Sequence, residues 1–170
     1  MESKIIGNKN RLAIEYKNLT RHRMVLWGDC SLWLSGYELS DHAGATCINR
    51  ASEEIDFIAK NKPSPGIFQG FPTSAKDFDR WIDSDSKLQN HTFFTGLEGF
   101  DDFLKLCSNE NGCTMFLWAL RPDSRIVNRD VYAKYPKDVQ QLIIKNQEIQ
   151  QIADEFKKTI NEILATEDDS

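Results

Sequence analysis

Three histidines and four cysteines are the side chains best suited to catalysis or metal binding in this chain. His22, His42 and His91 stand far apart, and none lies in an HExxH arrangement. Cys30, Cys47, Cys107 and Cys113 are spaced widely and irregularly, without the short ligand pairs of a zinc site. Four reduced, partly buried thiols with no structural metal are therefore expected. Asp41 and His42 are adjacent, and an aspartate can orient a histidine base. No nucleophile accompanies them, and neighbours in a strand point apart, so a polar loop is the simpler reading. Gly66 and Gly70 complete neither a Walker loop nor a dinucleotide fingerprint. Asp77, Asp79, Asp83 and Asp85 suggest calcium, but counting from Asp83 the twelfth position is Phe94, not the EF-hand glutamate. The reading assigns no catalytic residue, no cofactor and no metal. A small metal-independent hydrolase using Asp41 and His42, or the later acidic cluster, is the enzymatic alternative.

The same aspartates support a different chemistry. Between residues 77 and 85 they are interleaved with Phe78 and Trp81. Aromatics anchor protein interfaces, while carboxylates steer and pair with lysine or arginine of a basic partner. Asp77, Asp79, Trp81, Asp83 and Asp85 are thus the leading partner-binding candidates, with Asp29, Tyr37, Glu38 and Asp41 as a second patch. The competing account is that Phe78 and Trp81 merely pin this segment to the core.

These residues need a scaffold, and periodicity supplies one. Leu12, Ile14 and Tyr16 alternate with Ala13 and Glu15, as in a strand with one face in a core. Residues 24–34 predict one or two further strands, interrupted at Gly28 and Asp29 by a turn or bulge. A short strand is expected within 43–48, then a helix over 51–60 capped by Ser52, with Ile55, Ile58 and Ala59 inward. Residues 61–91 read as irregular except for a short helix over 74–82. Residues 92–94 predict a short strand, and 97–107 a helix with early acids. Residues 113–120 are nearly continuously apolar, as in a central strand covered on both faces, with 125–132 as a hairpin mate. From Pro136 onward, Val139, Leu142, Ile143, Ile149, Ile152, Phe156 and Ile160 trace a helical stripe. It predicts either one long helix or two kinked near residues 145–147. The expected fold class is α+β: one mixed or mainly antiparallel sheet containing residues near 12–16, 24–34 and 113–120, packed against helices. A long C-terminal helix covers one face. Residues 1–165 form a single domain and 166–170 an acidic flexible tail.

At 170 residues and 40% apolar, the chain can bury a substantial core without staples. Its net charge of −5 disfavours direct nucleic-acid binding, which needs concentrated positive charge. No apolar run approaches the twenty residues of a transmembrane helix, and the opening lacks a secretory apolar segment. A cytoplasmic protein with no membrane partner is expected.

The run Ile6-Gly7-Asn8-Lys9-Asn10-Arg11-Leu12-Ala13-Ile14-Glu15-Tyr16 resembles the opening of a family of immunity proteins. That family belongs to bacterial polymorphic toxin systems, including contact-dependent growth inhibition loci. In it an I-G-x-x-x-R-F-A-I-E-like start precedes an aromatic strand, a glycine-bearing turn and a Gly-Asp element. Residues 33–41 are similar to that second feature, with Ser40 where glycine is expected, and residues 113–120 resemble a later hydrophobic strand. The resemblance covers the first quarter of the chain and carries no catalytic motif. It implies an immunity-protein-like domain that binds and neutralises the toxic C-terminal domain of a cognate effector, many such toxins being nucleases. A regulatory protein-binding module is the runner-up, and the sequence leaves homo-oligomerisation open.

Overall fold

The alternation around Leu12 does produce a strand, longer than the pattern itself. The computed structural model describes residues 3–40, 44–60, 70–124, 132–133 and 135–166. The first sheet contains β1 (Lys4–Gly7), β2 (Leu12–His22), β3 (Val25–Leu34), β4 (Tyr37–Leu39) and β5 (Thr46–Cys47). Its order is β1-β2-β3-β4, with β5 also paired to β3. Every pairing is antiparallel. Helices α1 (Ile48–Lys60), α2 (Ala75–Ser84) and α3 (Ser86–Gln89) follow. A second antiparallel sheet, β6-β7-β8, comprises Phe103–Glu110, Cys113–Leu120 and Gln140–Lys145. Helix α4 (Asn146–Thr166) ends the described chain. The result is one α+β domain, with residues 113–120 in a sheet separate from 12–16 and 24–34.

Register fixes which side of the first sheet is inside. Ile6, Ile14, Leu32 and Leu39 face one another across four strands, forming a single apolar row. That row, with Leu12, Tyr16, Cys30 and Leu34, packs against Ile48, Ile55, Ile152, Phe156 and Ile160 of α1 and α4. Tyr16 stacks on Phe156 with ring centroids 5.7 Å apart. Arg11 grips Glu148 through two hydrogen bonds of 2.8 Å, tying the turn before β2 to the first turn of α4. At the other end the Arg21 guanidinium donates to the Leu164 carbonyl.

The second sheet is covered on both sides. Phe103, Cys107, Phe116 and Trp118 face the main core. Leu104, Leu106, Leu117 and Ala119 face a second cluster under α2, formed with Ala75, Phe78, Ile82 and Leu88. The continuous apolar character of β7 therefore has the expected cause: neighbouring side chains enter two different cores.

Several expectations fail for local reasons. Residues 97–107 do not form a helix, for the chain turns until Phe103 and then extends as β6. Both faces of β6 are buried, which hides its two-residue period. Asn111 (φ 52°) and Gly112 (φ 77°) join β6 to β7, the positive-φ pair of a tight hairpin turn. Ser35 and Gly36 do the same between β3 and β4. The helix does not begin near Pro136: Leu142 and Ile143 belong to β8, and α4 starts at Asn146. Gly28 and Asp29 do not interrupt β3; the irregularity lies across from them, between Lys17 and Thr20 of β2. Ser52 is buried inside α1 and caps nothing, because the helix begins four residues earlier at Ile48. Only Thr92 of residues 92–94 makes a β-bridge, to Leu106, while Phe94 takes a φ of 53°. The proposed hairpin mate 125–132 lies outside the described residues except Tyr132, and β7 is flanked instead by β6 and β8.

Candidate partner-binding surfaces

Helix α2 forms where Ser74 accepts a hydrogen bond from the Asp77 amide, satisfying one of the helix's orphan donors. The candidate acids on it have local duties. The Asp77 carboxylate accepts from the Ser74 hydroxyl at 2.8 Å and lies 3.6 Å from Arg80. Asp79 meets Arg121, from the end of β7, at 3.4 Å. Asp85 caps α3 by accepting from the Lys87 amide at 2.9 Å. Asp83 is exposed. Trp81 lies half-buried against Phe78 and the second cluster, so its aromatic surface is largely spent on pinning α2 to the sheet.

The second patch divides differently. Tyr37 turns inward, its ring 5.5 Å from Tyr135 and 6.2 Å from Trp118. Asp29 and Glu38 lie on the opposite side of the first sheet, away from the helices. Asp29 accepts from the Asn18 amide at 2.7 Å, and Glu38 from the Ser31 hydroxyl at 2.7 Å. Asp41 and His42 lie outside the described residues.

The register brings further groups onto that face. Ala13, Trp33 and Glu38 form one row across it, and Ile5, Glu15 and Ser31 the next. Lys17 and Asp29 lie beyond. Lys9 binds Glu15 at 2.6 Å and sits 4.0 Å over the Trp33 ring. The Trp33 indole N–H donates to the same carboxylate at 2.9 Å. Burial alone would raise the Glu15 pKa, but hydrogen bonds from Lys9, Ser3 and Trp33 together hold it below the usual carboxylate value. Trp33 was within reach of the sequence as a strand aromatic; its partnership with Lys9 and Glu15 was not, because three separate segments supply the group.

Burial pushes the Cys30 and Cys107 thiols up to about 12, far from the reactive thiolate range. His91 is buried with Nδ1 3.1 Å from the Cys107 carbonyl. A recess of about 310 Å³ beside the start of α2 is lined by Leu120, Pro122, Tyr132 and Tyr135, with Lys76, Arg121 and Lys137. Among its described lining residues there is no carboxylate, imidazole or thiol. Among the described residues no three His, Cys, Asp or Glu side chains gather as a metal site, and no helix is long and apolar enough to cross a membrane.

An antiparallel sheet with two long helices on one face and a second sheet beside it places the chain in a known structural class. Its fold is similar to the crystal structure of CdiI from Burkholderia dolosa AUO158. The TM-score is 0.55 at 11% identity, and the match covers 92% of this chain and 99% of that one. At that identity the likeness is one of fold. No family model matches the chain, and no curated protein matches it.

Proposed function

We propose that this chain is an immunity protein of a contact-dependent growth inhibition or related toxin system. It acts in the cytoplasm by binding the toxic C-terminal domain of a cognate effector in a stoichiometric complex. The observation that carries this reading is the near end-to-end likeness of fold to CdiI. Supporting it, the run that resembles the immunity family, residues 6–16, spans the end of β1, the turn and the start of β2, and supplies Ile6, Leu12, Ile14 and Tyr16 to the main core. The negative charge of the chain suits a basic toxin such as a nuclease, whose nucleic-acid-binding surface would be electrostatically complementary. Neutralisation proceeds by occupation of the toxin's surface and requires no chemistry from the antidote.

The test is co-expression with the C-terminal domain encoded beside this chain's gene. Growth is expected to be restored, and the two proteins to co-purify at equal stoichiometry. Continued toxicity in the presence of the folded chain, with no complex formed, would overturn the reading.

A further inference from the structure

We propose that the toxin docks on the open face of the first sheet, the side away from α1 and α4, rather than on α2. This deepens the immunity reading and rests on it. Among the described residues, none on that face belongs to either apolar cluster, and no described helix packs there. Yet the face is not the plain polar exterior that an antiparallel sheet usually turns to water. Trp27 and Ile5 stand on it with 39% and 45% of their surface exposed. On the same face Trp33 is held in place, its indole N–H on Glu15 and the Lys9 ammonium over its ring. An aromatic fixed this way loses little conformational freedom when a partner covers it, which is what an interface anchor requires.

The partner chemistry follows from the charges. Among the described residues Glu15, Asp29 and Glu38 share this face with Lys9 and Lys17, three carboxylates to two ammonium groups. Asn18 and Ser31 orient Asp29 and Glu38 through hydrogen bonds of 2.7 Å. Pre-oriented carboxylates flanking an aromatic anchor suit a protein surface that presents arginine or lysine around an apolar contact. On α2, by contrast, Asp77 and Asp79 lie beside the cations of Arg80 and Arg121, which offset their charge. The occupant is therefore a basic patch of the toxin domain, lying flat across β2, β3 and β4.

The experiment measures binding kinetics between the full chain and the C-terminal domain encoded beside its gene. Four proteins are compared: wild type, Asp29→Asn with Glu38→Gln, Trp27→Ala, and Asp83→Lys on α2. The paired neutral substitutions keep the shape of both side chains and remove their charge. They are expected to weaken binding by about 10-fold or more, chiefly through slower association. Trp27→Ala is expected to speed dissociation, and Asp83→Lys to change neither rate. Circular dichroism verifies that each variant is folded. If wild type binds and both face variants bind equally well, the docking site is wrong while the immunity reading stands. Loss confined to Asp83→Lys would place the interface on α2 and likewise overturn the proposal. If wild type itself neither binds nor protects, the immunity reading falls, and this proposal with it.

Discussion

The two sheets of this protein solve the same problem in opposite ways. The second is a three-stranded layer sandwiched between two apolar clusters, so β7 carries apolar side chains on both faces. Among the described residues the apolar clusters cover only one face of the first, and β2 and β3 alternate between core residues and groups such as Glu15, Asp29 and Trp33. A strand covered on both sides has its composition dictated by packing. A strand covered on one side is free to vary the other, and a recognition surface can evolve there without disturbing the core. The contrast separates residues that hold the fold from residues available for a partner.

The sharpest way to break this contrast is to cut into each sheet and compare costs. Phe116→Ala, at a fully buried site of the second sheet, should destabilise by about 3–5 kcal/mol in denaturant unfolding. Trp27→Ala, on the open face, should cost far less; equal losses would mean that the face is not open in solution. A middle-sized effect is expected at a close approach between β2 and β3. A methyl group on Gly28 would approach the Lys17 carbonyl to 2.7 Å and Leu19 Cδ2 to 2.8 Å. Gly28→Ala should therefore cost about 1–3 kcal/mol, as overpacking does elsewhere. The smallest effect belongs to Lys9→Met, which removes the cation from Glu15 and should cost at most about 1 kcal/mol at neutral pH. Because the folded-state pKa of Glu15 is lowered, its contribution is present above the unfolded carboxylate value and lost as pH falls through the folded one. The difference between wild type and Lys9→Met should thus shrink on acidification, as measured by denaturant titrations from pH 7 down to about 3. A constant gap across that range would remove Lys9 as the source of the shift.

What the sequence revealed follows the same division. The one-sided strand at Leu12 and the helix preceding Lys60 announce themselves because one face is polar. β7 is legible through its unbroken apolar run. β6 is not, since acids at Asp101 and Asp102 precede it and a run buried on both faces shows no alternation. The Asn111-Gly112 pair was the missed signal: it marks a hairpin, not the end of a helix. Leu142 and Ile143 fall into the helical stripe of α4 by coincidence of spacing, and only pairing with β7 shows that they are extended. At the surface, the acids of α2 were visible as composition. Their engagement was not, because Arg121 lies 42 residues from Asp79. The Lys9, Glu15 and Trp33 assembly was hidden for the same reason: the register that unites it is a tertiary fact.

The clasp between Arg11 and Glu148, 137 residues apart, has a consequence for how the protein comes into being. A ribosome releases the N-terminal strands first, at about 5–20 residues per second. The apolar row of Ile6, Ile14, Leu32 and Leu39 then waits for α4, whose Ile152 and Phe156 are among the last core residues to be made. A nascent chain halted before α4 has that row covered by α1 alone, so the core behind the proposed docking face stays incomplete until synthesis reaches the last helix. On the proposed antidote role, a chain truncated within the final helix is expected to protect less than the full chain in the co-expression test.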